Sequence, residues 1–209
     1  VGYADKLDQK PAKWVPATVP GAVQLDIAKA EKYGPYYFAE NWKDYLWMED
    51  KFFTYKTTFK KTDLNEDERL FFISKGIDYE FDIYLNGQKI LYQEGMFTPV
   101  ELDITDMVQA KNELEIKIYP IPKMHNESAD RSQAAQSVKP AVSYGWDWHP
   151  RLVSSGIWDE TFLEVKNTSY LNDIWVDYTL SDELTSADIK VKIEGNDLNT
   201  CKIEWTLKD

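Results

Sequence analysis

Apolar residues recur at every second position in a series of short runs, and turn signals cut each run off. No other feature constrains the fold as much, because successive strand side chains face opposite ways while a helix repeats every 3.6 residues. Phe53, Tyr55, Thr57 and Phe59 fall on one side, with Thr54, Lys56 and Thr58 on the other. Leu70 to Ile73 is a continuous apolar run. Tyr79, Phe81, Ile83 and Leu85 alternate with Glu80, Asp82 and Tyr84, and Asn86-Gly87 then supplies the pair that a type I′ hairpin turn prefers. Lys89 to Tyr92 is the returning strand; Val100/Leu102/Ile104, Leu114/Ile116/Ile118 and Ile157 to Val165 complete the set. Many short strands joined by turns predict an all-β sandwich or barrel, not alternating β–α units.

The departures from this pattern are local. Trp14 to Pro20 is extended, limited by Pro16 and Pro20. Gly21 to Lys32 is expected to be one short helix, closed by Gly34 and Pro35, with an aromatic-rich loop following from Tyr36 to Trp47. Pro120 and Pro122 stop the sheet and open a long segment, Lys123 to Ser143, without clear periodicity. A small polar linker, Lys166 to Ser169, precedes three more alternating runs: Ile174/Val176/Tyr178/Leu180, Ile189/Val191/Ile193 and Cys201/Ile203/Trp205/Leu207. An immunoglobulin-like sandwich needs about seven strands. The expected organisation is therefore a first domain over residues 1–168 and, over 169–209, the first three strands of a partial second domain inside which the chain ends.

Length and charge narrow the function. The 209 residues suffice for one β-sandwich with a real core and a second small piece. Asp and Glu number 36 against 24 Lys and Arg, a net charge of -12, which repels phosphate backbones and anionic lipid. No nucleic-acid or membrane partner is expected, and no apolar run approaches the roughly 18 residues of a membrane span. No charged-then-apolar leader opens the chain, so any signal peptide is expected to have been removed or left out. The single cysteine, Cys201, excludes an internal disulfide and CxxC chemistry. Its alternating surroundings make it a small core residue rather than a nucleophile. His125 and His149 are the only histidines, too few for a histidine-rich metal site, and neither metal nor cofactor is expected. Aromatics reach 14%, including eight Trp and thirteen Tyr, which suits sandwich cores and sugar stacking alike.

Three motif groups carry a resemblance. The first is Trp14 to Leu25, WVPATVPGAVQL. The second joins Ile77–Gly87 (IDYEFDIYLNG), Gly95–Thr105 (GMFTPVELDIT) and Asn112–Leu114. The third is Tyr144–Leu152 (YGWDWHPRL), closing with Gly156–Trp158 (GIW). Together they resemble the N-terminal sugar-binding, jelly-roll or galactose-binding-like domain of glycoside hydrolase family 2. The run from Trp146 onward is most similar to the β-mannosidase branch. His149 departs from it, since that branch usually has Gly there, and this bears on the local backbone shape.

The resemblance implies a retaining exo-β-glycosidase built as jelly roll, immunoglobulin-like domain and TIM barrel, acting on a terminal sugar of an oligosaccharide or glycan. Retaining hydrolysis needs two carboxyl groups about 5–5.5 Å apart. In the family both sit on the barrel, so no catalytic residue is expected here, and the missing immunoglobulin-like and barrel domains are the implied partners. Asn126-Glu127 mimics the family's acid/base dipeptide but falls in an irregular stretch. The implied location is periplasmic or secreted in a bacterium and lysosomal in a eukaryote. The resemblance also implies that Asp147 holds substrate hydroxyls, with Trp146 or Trp148 beside it; the alternative is that all three stiffen a loop packed on the barrel. Arg151 either pairs with Asp147 or covers the domain interface. Trp158 is expected beneath the motif as core. The Tyr36–Trp47 aromatics serve either as a stacking platform or as buried packing. A free-standing lectin module and a purely structural buttress are the rival functions.

Overall fold

The computed structural model describes residues 1–206 and Lys208. In chain order its elements are β1 (Gly2–Ala4), α1 (Val23–Glu31), β2 (Phe52–Lys60), β3 (Glu68–Ser74), β4 (Ile77–Asp78), β5 (Glu80–Leu85), β6 (Gln88–Glu94), β7 (Val100–Asp103), β8 (Lys111–Ile118), β9 (Gly156–Ile157), β10 (Thr161–Asn167), β11 (Tyr170–Leu180) and β12 (Ala187–Asn196). Two antiparallel sheets make the sandwich, one in the order β1-β2-β8-β5-β6 and one in the order β10-β3-β7. The fold is all-β.

Register explains why the alternating runs pack. Ile118 faces Phe53 on one side and Phe81 on the other, Ile116 faces Tyr55 and Ile83, and Leu114 faces Thr57 and Leu85. Apart from the exposed Thr57, these rows all but vanish from solvent and meet Leu70, Phe72 and Val100 of the opposing sheet in one cluster. Fully burying each such side chain stabilises the fold by about 1.5–3 kcal/mol. The β5–β6 turn is as expected: Asn86 and Gly87 hold φ of 53° and 81°, the left-handed pair that a type I′ turn requires.

Helix α1 is shorter than the expected span and closes on Lys32, which takes the left-handed conformation (φ 59°) ahead of Gly34. Residues Asn41–Asp50, within the aromatic loop and just beyond it, form a 3₁₀ helix that buries Tyr45 and Met48 and leaves Tyr37 and Phe38 outside, exposed. The run from Ile157 to Val165 is not one strand. Trp158 and Asp159 both donate backbone N–H groups to the Gly76 carbonyl (3.1 and 3.3 Å), so the chain turns there, and β9 pairs with β4 while β10 pairs with β3.

Three further expectations need correction. Trp158 does not lie under the Trp146–Trp148 motif; its indole covers Gly76, where a Cβ would come within 2.4 Å, and donates to the Met96 carbonyl (3.0 Å). It follows directly on β9, which pairs with β4, and it is 38% exposed rather than core. Cys201 is exposed rather than core. Residues 201–206, the third tail run, form no strand; Leu207 lies outside the described residues. Alternation marks a face, but only a hydrogen-bonded neighbour makes a sheet. The hairpin β11–β12 does form, with Ile174↔Ile193, Val176↔Val191 and Tyr178↔Ile189 sharing one face. Val176 and Tyr178 remain 64% exposed. Among the described residues no helix is long and apolar enough to cross a membrane.

Candidate functional site

The segment between β8 and β9 has no periodicity, yet buried polar groups hold it from several directions. Glu49, at the end of the 3₁₀ helix, is buried and receives Arg151 on both oxygens (Nε 3.0 and 3.2 Å, Nη2 2.8 Å), with Lys123 Nζ 2.9 Å from Oε2. Lys139 and Asp78 form an ion pair with side chains 1% and 2% exposed, and Lys139 also donates to the Ser154 carbonyl (2.8 Å). Burial pushes the Asp78 carboxyl up and the Lys139 ammonium down, with their mutual attraction opposing each shift. Gln24 of α1 donates to the Val153 carbonyl (2.9 Å) and accepts from the Ser155 N–H (3.2 Å). Tyr144 is fully buried with Ile121, Ala134 and Val153 in a second small core, and its hydroxyl donates to the Pro122 carbonyl (2.6 Å). Burial pushes that phenol up to about 12, so it stays protonated at neutral pH.

On this base stands a tight turn. Trp146 N–H donates to the His149 carbonyl (2.9 Å) and His149 N–H returns to the Trp146 carbonyl (3.2 Å), which leaves Asp147 and Trp148 at the tip. Trp148 is 73% exposed, and the Asp147 carboxylate is exposed with no ion pair or hydrogen bond among the described residues. His149, with Nδ1 2.6 Å from the Pro150 carbonyl, is a loop residue. The turn therefore gathers Trp146, Asp147 and Trp148 in one place. Arg151 sits below it and does not reach Asp147. Its fork is taken by Glu49, whose two oxygens match the guanidinium's parallel donors.

An open hollow of about 480 Å³ adjoins the turn, lined by Asp130, Arg131, Ser132, Gly145, Trp146 and Asp147. The Arg131 guanidinium lies 3.9 Å from the Trp146 ring centroid, a cation–π stack. Asp130 caps the adjacent 3₁₀ turn, accepting from Ser132 N–H (2.9 Å) and Oγ (2.5 Å), and these bonds hold its carboxyl below the ordinary range. A more apolar hollow of about 650 Å³, between β2 and β10, lies away from this turn. Residue-level reading missed Arg131, Asp130, Glu49, Lys139, Asp78 and Gln24. The Asp130-Arg-Ser132 run carried a capping signal, whereas the others lack any local one.

An exposed carboxylate beside a flat indole, raised on a buried polar base, is suited to holding a hydroxylated ring. Comparison with known proteins gives the family. The family described as glycosyl hydrolase 2 galactose-binding domain-like matches residues 4–159. Beta-mannosidase B of Aspergillus clavatus is 28% identical over 95% of this chain and 25% of its own length. The same enzyme of Emericella nidulans is 28% identical over 98% and 26%. The crystal structure of β-D-mannosidase from Dictyoglomus thermophilum superposes with a TM-score of 0.72 at 30% identity, covering 88% of this chain and 24% of that one. Amycolatopsis orientalis exo-chitosanase CsxA shares the fold, with a TM-score of 0.64 at 22% identity over 88% of this chain and 21% of that one. The chain thus spans about a quarter of the length of the relatives it matches. From Ala4 to Asp159 it belongs to the glycosyl hydrolase 2 galactose-binding domain-like family, and it is similar to the N-terminal part of β-mannosidases.

Proposed function

We propose that this chain is the non-catalytic N-terminal region of a retaining exo-β-glycosidase of mannosidase type, acting on terminal β-linked sugars of glycans. Its partners are an immunoglobulin-like domain, begun by β11–β12, and a barrel bearing the two catalytic carboxyl groups. Asp147 reaches into the barrel's pocket and accepts hydrogen bonds from substrate hydroxyls, with Trp148 against the sugar's apolar face. A periplasmic or secreted place of action suits such a substrate. The observation that carries the reading is the Asp147 carboxylate itself: exposed, unpartnered among the described residues and raised on buried anchors.

The test is Asp147→Ala in the full-length enzyme. Losing a charge-assisted hydrogen bond should lower kcat/KM by about ten- to a hundredfold. Asp147→Asn, which keeps one acceptor oxygen, should do less harm, and the thermal midpoint should barely move. A substrate epimer that places its hydroxyl elsewhere should show a smaller penalty. Activity within about twofold of wild type would make Asp147 structural and favour the buttress. Tight sugar binding by the isolated chain would favour the lectin instead.

A further inference from the structure

We propose that Arg131 is a second substrate-contacting residue, donating to the hydroxyl next to the one that Asp147 holds. The proposal rests on the reading that Asp147 faces substrate. Arg131 shares a hollow with Asp147 and is fixed there by its stack on Trp146, 3.9 Å from the ring centroid. Among the described residues its guanidinium makes no ion pair or hydrogen bond, so its five donors are unused. Asp130, the nearest acid in sequence, has one oxygen already committed to Ser132. The hollow therefore presents a stacked donor and an unpartnered acceptor on one lining.

Arginine only donates and an ionised carboxylate only accepts, so a ligand bridging them must offer both roles within a short span. Adjacent hydroxyls of a pyranose do so: one donates to Asp147 while its neighbour accepts from Arg131. An anionic sugar meets two carboxylates and one guanidinium here, which favours a neutral polyol. Stacking also removes much of the rotamer entropy that a free arginine loses on binding. One face of the Trp146 indole is taken by this stack, which leaves Trp148 as the open platform.

The experiment uses the full-length enzyme, the aryl β-glycoside it cleaves fastest and the monodeoxy analogues of that substrate. Arg131→Met, which still covers the indole, should raise KM about tenfold with kcat within about twofold. Arg131→Lys, with charge but no fork, should fall between. The Arg131→Met penalty should vanish on one deoxy analogue, and that analogue should neighbour the one on which the Asp147→Ala penalty vanishes. An equal penalty on every analogue would reduce Arg131 to a support for Trp146 and overturn the proposal. If Asp147→Ala impairs the enzyme while Arg131→Met leaves KM unchanged, the inference about Arg131 fails alone. If neither variant affects turnover, the reading of the site fails with it.

Discussion

The segment from Ile121 to Ser155 and the hairpin β11–β12 invert the usual expectation. The first has no hydrophobic period, yet it buries Tyr144, Val153 and Lys139 and is tied to Glu49, Asp78 and Gln24. The second alternates regularly, yet Ile174, Val176 and Tyr178 of its apolar face stay in solvent. Regular pattern and stability are separate properties. A strand pair follows from local sequence, but its stability comes from what covers it, and a two-stranded ribbon alone is marginal in water. An irregular segment whose buried charges are paired is held by contacts that pattern does not reveal.

The sharpest way to break this contrast is to remove one partner of an ion pair in each region. Lys139→Met strands the buried Asp78 carboxylate and should destabilise the protein by about 3–5 kcal/mol in chemical denaturation. Adding Asp78→Leu should recover much of that loss. In the hairpin, Lys192 and Glu194 lie 2.7 Å apart but are 62% and 50% exposed, so Lys192→Met should cost less than about 0.5 kcal/mol. Equal costs would mean that the two regions are held alike.

Hydrogen exchange sharpens the same comparison. The Leu152 amide, bonded to the Ser143 carbonyl at 2.9 Å, should exchange at least about a hundredfold more slowly than the Val176 and Val191 amides. Comparable protection in a proven monomer would show that the ribbon is covered after all.

A milder pair of variants compares two tyrosines. Tyr144→Phe removes a buried hydroxyl that donates to Pro122 and should cost about 1–2 kcal/mol, because that carbonyl loses its donor. Tyr178→Phe, on the open face, should stay within about 0.5 kcal/mol.

The smallest effect concerns pH. The bonds from Ser132 hold Asp130 below its ordinary value of 3.8, so between the two values the unfolded chain binds more protons than the folded one. The capped turn should therefore keep this stabilisation above that pH and lose it as pH falls through the depressed value. Ser132→Ala should move the Asp130 titration, followed by NMR, back upward; an unmoved titration would remove Ser132 as the cause.

Much of this molecule was legible in its residues. Alternation placed Phe81, Ile83 and Leu85 on one inner row, and Asn86-Gly87 marked a hairpin that the structure has. The family motifs put Trp146, Asp147 and Trp148 together, and the fold gathers them on one turn. The partners of that turn were another matter. Arg151 meets Glu49 across 102 positions and Lys139 meets Asp78 across 61, and no local period or cap connects either pair. Burial was equally out of reach: Cys201 and Val176 sit in runs patterned like core strands but stay exposed.

Strand faces, the hairpin turn and the family motifs follow from the order of residues alone, because each depends on neighbours within a few positions, where backbone geometry sets the rules. Which charges are buried, which indoles are open and what supports the turn that carries Asp147 emerge only when the chain is folded. Those depend on distant segments arriving at one point, where desolvation raises the stakes of every polar contact far above its value in the extended chain.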